Sequence, residues 1–151
     1  RFAHGAVSAR RGEVSDGIKV MQAAISAAED MGSRLFRPVQ FATVASAYAR
    51  LGEWQKALAL LDQAIAVART TGERRADSAL HRVRGEVLLA SGRKKEGERE
   101  LLVALDIAKA QQAKSEIDRA TATLAKLAGG RGLRPFAGRR PLAALRSFFG
   151  V

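Results

Sequence analysis

Apolar side chains recur along this chain at a spacing that predicts amphipathic helices. In the middle of the chain Ala57 is followed by apolar residues at i+4, i+7, i+8 and i+11. This stripe covers one side of a helix and does not fit the alternation of a strand. The same stripe occurs 40 residues earlier and 40 residues later, and its members are Gly17, Met21, Ala24, Ile25, Ala28; Ala57, Leu61, Ala64, Ile65, Ala68; and Gly97, Leu101, Ala104, Leu105, Ala108.

Glycines separate the predicted helices at the same interval. One series of four is spaced by 40 residues, at Gly12, Gly52, Gly92 and Gly132. Glycine suits the C-terminal end of a helix because the backbone there takes a positive φ. A second break follows each stripe, at Gly32, Gly72 and around Gln112. Helices are therefore predicted near 15–31, 34–51, 54–71, 74–91, 94–112 and 114–128.

Connections as short as these imply that successive helices run antiparallel as hairpins. Gly17, Ala57 and Gly97 are expected where the helices of a hairpin cross, since only Gly or Ala lets two backbones approach to about 8–10 Å. One hairpin cannot bury its own stripe, whereas a stack of hairpins can. The sequence thus predicts an all-α solenoid of about six long helices with a 40-residue period.

The composition agrees with a helical, folded chain. Hydrophobic residues make up 47% and aromatic residues 5%, and the abundant Ala, Leu, Arg and Glu favour helix over strand. The absence of cysteine excludes disulfides and thiolate metal sites, and no apolar run approaches the roughly 20 residues of a membrane span. A cytoplasmic location is expected. Because the chain begins at Arg1 and enters helical pattern almost at once, we expect it to be a fragment of a longer protein.

The charge divides the chain into two parts. The formal net charge is +11, and residues 129–151 contribute five arginines and no acidic residue to it. Residues 1–128 are predicted to form the helical domain, and 129–151 a Gly/Arg/Pro-rich basic tail. Pro141 suits the first position of a short helix, 141–149, whose apolar residues would cap the last hairpin.

The helices predicted at 34–51 and 54–71 form one repeat unit, the middle unit of the chain. Both of these helices resemble a known repeat. The matching residues are Phe41, Val44, Ala45, Tyr48, Gly52, Trp54, Ala57, Leu61 and Ala64. Their spacing resembles that of tetratricopeptide (TPR) repeats. The next unit keeps His81, Gly85, Leu88, Gly97 and Leu101 in the corresponding places but has Arg84 where an apolar residue is usual.

The 40-residue period is longer than the common repeat and is similar to that of one bacterial group. Four segments carry this similarity, at 37–38, 47–52, 84–89 and 112–115. They resemble the C-terminal repeat array of bacterial signalling proteins that join a class III cyclase or DNA-binding domain to a STAND-type ATPase. The resemblance implies a non-catalytic scaffold or regulatory segment that binds a protein or peptide, including other domains of its parent chain.

No catalytic or cofactor-binding motif accompanies the repeats. The chain lacks a phosphate-binding P-loop, an H-E-x-x-H zinc motif and a G-x-S-x-G nucleophile elbow, so we expect no enzyme activity, cofactor or metal. His4 and His81 stand in different units, and His81 is expected to pack between helices. Tyr48 and Trp54 are expected to be core residues rather than the walls of a ligand pocket.

The resemblance to TPR proteins implies that the first helix of each hairpin lines a concave groove. The outward positions of these helices include Val39, Ala42 and Ser46, and the charged ones among them are Arg50, Arg82, Glu86, Arg119 and Lys126. The groove would be mildly basic and would accept a peptide. A carboxylate clamp built on asparagine is not expected, because the chain has no Asn. The alternative is that these charges only keep a solvated face soluble.

A second functional hypothesis concerns the tail. Its arginines would contact the phosphates of nucleic acid or of an anionic membrane surface. These residues are Arg131, Arg134, Arg139, Arg140 and Arg146.

Overall fold

A computed structural model describes residues 1–32 and 37–129 as helices joined by short turns. The helices are α1 Phe2–Arg11, α2 Val14–Asp30, α3 Arg37–Arg50, α4 Trp54–Thr71, α5 Asp77–Ala90, α6 Lys94–Ala110 and α7 Lys114–Ala128, with a 3-10 turn at Arg74–Ala76. The described residues contain no strand. The all-α prediction is confirmed.

The described helices differ from the predicted set in two places. Residues 2–11 form α1, which the predicted set does not include. The helix predicted at 74–91 begins as a 3-10 turn and becomes α-helical at Asp77. The predicted capping helix 141–149 and the fourth glycine, Gly132, lie outside the described residues.

The helices pack in consecutive pairs. The most extensive contacts join α1 to α2, α3 to α4, and α5 to α6. The chain direction reverses within a pair, because Gly5 faces Gly17 and Met21 while Ala9 faces Gly17. The odd-numbered helices also contact one another in sequence, α1 with α3, α3 with α5, and α5 with α7. These four helices therefore form one continuous layer.

The apolar residues that recur every 40 positions form the core, and each set of equivalent residues makes up one column. Met21, Leu61 and Leu101 occupy one column, and each has 0% of its surface exposed. The column of Ile25, Ile65 and Leu105 is buried or partly buried. Burying a side chain of this size contributes about 1.5–3 kcal/mol.

Positive φ angles occur at the predicted helix breaks. Gly12, Gly52 and Gly92 have φ of 112°, 77° and 89°. In the second series Gly32 and Gly72 have φ of 73° and 71°, and Gln112 takes the same place with φ of 54°. The turn geometry is therefore repeated even where the glycine is replaced.

The smallest residues mark the closest helix crossings. A Cβ atom added to Gly17 would lie 2.6 Å from both the Ala9 nitrogen and the Gly5 oxygen. A Cβ added to Gly97 would lie 2.6 Å from Leu89 Cγ and 2.9 Å from the Gly85 oxygen. Within the first pair and within the third pair, the two helices therefore approach too closely for any residue larger than glycine at these positions.

Gly17→Ala is expected to lower the free energy of unfolding by about 1–3 kcal/mol, because α1 and α2 must separate to admit the methyl group. The matched control is Ala57→Gly, at the same column of the second pair, where a Cβ is already accommodated. Its cost should be about 1 kcal/mol, from the lower helix propensity of glycine. Urea denaturation of the two variants measures both values. A Gly17→Ala protein as stable as the wild type would contradict the close crossing.

Candidate functional site

The layer of odd-numbered helices forms a cleft of about 360 Å³, which we call the inner cleft. Side chains of α1, α3, α5 and α7 line it, together with Met21 of α2. Its small residues include Ala6 of α1, Ala42 and Ser46 of α3, and Ala79 of α5. A ligand would be able to approach the helices closely along these small side chains.

Helix periodicity explains which face of α3 lines the inner cleft. Phe41, Val44, Ala45 and Ala49 are buried in the core. Residues from the other side of the same helix line the cleft, and the predicted ones among them are Val39, Ala42, Ser46 and Arg50. The spacing of residues along α3 therefore separates its core-facing side from its cleft-facing side.

The predicted groove residues are only partly brought together. Arg50, Arg82 and Arg119 line the inner cleft. Glu86 is buried, with 2% of its surface exposed, and Lys126 is exposed on α7 but is not part of the lining. Two residues that the prediction omitted, Arg10 and Glu116, do line it.

Arg50 is buried rather than exposed as predicted, and it links the first two helix pairs. Its exposed fraction is 8%. The guanidinium donates hydrogen bonds to the carbonyl oxygens of Ala9, at 2.7 Å, and Arg10, at 3.4 Å. These carbonyls belong to the last turn of α1, where the Ala9 oxygen also accepts a bond from the Gly12 N–H at 3.4 Å. The positive charge also suits this C-terminal end of the helix dipole.

Arg82 was also predicted to be exposed, but it is held between two carboxylates. Its Nη1 donates to Glu86 Oε1 at 2.8 Å, and its Nε donates to Glu116 Oε2 at 2.7 Å. The first bond stays within α5 and the second joins α5 to α7. Burial alone would lower the pKa of Arg82, but the two carboxylates outweigh it and raise the pKa. Arg82 therefore holds the last helix of the layer.

Burial shifts the pKa of Glu86 more than its ion pair with Arg82 does. Its Oε2 is buried and has no hydrogen-bond partner within the described residues. Burial raises the pKa of Glu86, and the nearby Arg82 guanidinium offsets only part of that rise. The ionised form is thus disfavoured at this position.

A second polar cluster surrounds Arg84 of α5. This side chain bonds Asp62 of α4 at 2.8 Å and Glu100 of α6 at 2.9 Å. His81 Nδ1 lies 2.8 Å from Glu100 Oε2, so the predicted packing of His81 between helices is confirmed. The hydrogen bond from His81, together with Arg84, lowers the pKa of Glu100. Ion pairs therefore join α5 to α4 and α6 at this position.

The aromatic residues of the middle unit support the core, as predicted. Tyr48 and Trp54 are both partly buried and pack against the main hydrophobic cluster. The Tyr48 hydroxyl accepts a hydrogen bond from Gln22 Nε2 at 3.0 Å.

Replacing Glu86 with glutamine is expected to alter the pH dependence of stability. Between the ordinary carboxyl pKa, about 4.3, and the raised pKa of Glu86, the native state holds a proton that the unfolded state has released. Wild-type stability therefore falls as pH rises through this interval. The stability of Glu86→Gln relative to the wild type should rise over the same interval, as measured by urea denaturation at a series of pH values.

Glu100→Gln is the matched control with the opposite sign. The lowered pKa of Glu100 stabilises the native state above the ordinary carboxyl pKa, and this contribution is lost as pH falls through the lowered value. Relative to the wild type, Glu100→Gln should therefore become less stable as pH rises. Parallel curves for the two variants would contradict the assignment of Glu86.

Other site classes receive no support from the described part of the chain. Within it, no group of three or more His, Cys, Asp or Glu side chains is placed to hold a metal ion. No helix in residues 1–32 and 37–129 is long and apolar enough to cross a membrane. The tail arginines of the polyanion hypothesis, residues 131–146, lie outside the described residues.

Comparisons with known proteins identify no relative. The chain matches no family model, no curated protein and no solved structure.

Proposed function

We propose that this chain is a TPR-like solenoid whose inner cleft is the concave groove that binds a protein or peptide partner. The supporting observation is the inner cleft itself, which is lined by the face of four successive first helices. Its small side chains admit a peptide backbone, and its arginines provide charged contacts that orient a partner. The role is that of a non-catalytic scaffold or regulatory segment.

The 40-residue repeat supports a wider context. Its resemblance to the repeat arrays of bacterial signalling proteins suggests a cytoplasmic segment of a multidomain protein. In that setting the partner is either a separate protein or another domain of the same chain. The repeated helix pairs supply the rigid surface that such binding requires.

Filling the inner cleft tests this function. Ala42→Trp places an indole among the small residues of the cleft, whereas Ala59→Trp places one on the exposed side of α4. Peptides selected from a random library on the full wild-type chain should bind Ala42→Trp at least about tenfold more weakly, a loss of about 1.4 kcal/mol. They should bind Ala59→Trp normally, and thermal melts should show both variants folded.

The tail hypothesis predicts a different outcome. If the selected ligands bind Ala42→Trp as tightly as the wild type, the inner cleft is not the binding site. Loss of binding in Arg139→Gln/Arg140→Gln, with a steep decrease as salt increases, would favour the polyanion-binding function instead.

A further inference from the structure

The charged residues of the inner cleft indicate the chemistry of its partner. The lining contains four arginines and one glutamate, namely Arg10, Arg50, Arg82, Arg119 and Glu116. Positive charge is therefore in excess over the one carboxylate present. A partner with carboxylate groups would meet complementary charge, whereas a basic partner would be repelled.

Two of these arginines retain donors for a ligand. Arg10 is exposed, and its guanidinium has no hydrogen bond or ion pair within the described residues. The side chain of Arg119 is 63% exposed, and its Nη1 lies 3.6 Å from Glu116 Oε1, beyond hydrogen-bond length. They come from α1 and α7, the first and last helices of the cleft.

Glu116 already occupies a place suited to a carboxylate. Its side chain is 17% exposed and lies between two guanidinium groups. One oxygen accepts the 2.7 Å bond from Arg82 Nε, and the other faces Arg119. Arg82 retains its 2.8 Å bond to Glu86 if Glu116 moves away.

We propose that the inner cleft binds an acidic peptide, one carboxylate of which replaces that of Glu116 between Arg82 and Arg119. This inference rests on the proposed function and adds the chemistry of the partner. Glu116 acts as an internal competitor that a ligand must displace. A second acidic side chain of the peptide would pair with Arg10. Small side chains such as Ala42 and Ala79 contact the peptide between these charged positions.

Two synthetic peptides provide the test. Both carry fluorescein and the same apolar residues, but the polar positions hold glutamate in one and lysine in the other. Fluorescence anisotropy with the full chain should show binding of the glutamate peptide and not of the lysine peptide. Glu116→Gln should bind the glutamate peptide about fivefold more tightly or better, because the competing charge is gone. Thermal melts should show that this variant remains folded.

Matched arginine variants locate the binding. Arg10→Gln/Arg119→Gln should weaken glutamate-peptide binding at least about tenfold. Arg139→Gln/Arg140→Gln removes the same charge from the tail and should leave binding unchanged. Equal losses in the two variants would overturn the proposal, as would unaltered binding in the cleft variant.

The remaining outcomes separate this inference from the function on which it rests. Failure of the glutamate peptide to bind, or equal binding of the lysine peptide, would overturn the acidic specificity. So would unchanged or weaker binding to a folded Glu116→Gln protein. If the library-selected peptides nevertheless bind Ala42→Trp more weakly than the wild type, the proposed function stands and only the acidic specificity is lost. If they do not, the proposed function fails as well.

Discussion

Leu61→Ala is expected to lower the free energy of unfolding by about 2–5 kcal/mol. Leu61 lies in the middle of α4 with 0% of its surface exposed, in the column that Met21 and Leu101 continue. Removing three carbon atoms forfeits their burial and leaves a cavity, because a helix pair with close neighbours on both sides cannot fully collapse. Urea denaturation followed by circular dichroism measures the loss.

Gln63→Ala is the control for this substitution. Gln63 lies two residues further along the same helix and is exposed. Its replacement should change stability by no more than about 0.5 kcal/mol, since exposed substitutions remove little packing. Similar losses at 61 and 63 would mean that the buried face of α4 is wrongly assigned.

The buried columns could be predicted because they follow a purely local rule. Leu61, Ala64 and Ala68 share one side of a helix by spacing alone, and their 40-residue repetition removes the ambiguity of a single apolar run. Positive φ at Gly52 and Gly92 follows from an equally local property of glycine. These features needed no knowledge of which helices meet.

The α1 helix, absent from the predicted set, contains a glycine that tertiary contact requires. Gly5 lies in the interior of α1, where glycine costs about 1 kcal/mol relative to alanine and argues against a helix. In the structure that position faces Gly17 across a crossing too close for a methyl group. The corresponding position of the second pair, Ala45, holds the better helix former.

The burial of the charged groove residues could not be predicted from the sequence. Arg82 and Glu86 were placed on the groove face by the resemblance to TPR repeats, with a merely solvated face as the alternative. Their i, i+4 spacing allows an ion pair, but the bond that completes it comes from Glu116, 34 residues further along the chain. The 40-residue repeat shows which residues occupy equivalent positions, but it does not show which side chains of different helices contact each other.

Arg82→Glu is accordingly expected to destabilise the protein by about 3–5 kcal/mol. A charge reversal at the exposed position expected from the sequence would change stability by at most about 1 kcal/mol. With 9% of its surface exposed, Arg82 is the cation shared by Glu86 and Glu116. The substitution places three carboxylates together and removes the bond between α5 and α7. Guanidinium denaturation, which suppresses long-range charge effects, and urea denaturation should both show the loss.

Arg69→Glu is the matched charge reversal, on the exposed surface of α4, and should cost at most about 1 kcal/mol. The two variants should also differ in their response to pH. Crowding three carboxylates raises their pKa values in the native state, so the native protein takes up protons at mildly acidic pH that the unfolded chain does not. The Arg82→Glu protein should therefore regain stability relative to the wild type as pH falls toward about 5. A loss that is equal at pH 5 and pH 8, or no larger than that of Arg69→Glu, would contradict a buried carboxylate pair held by Arg82.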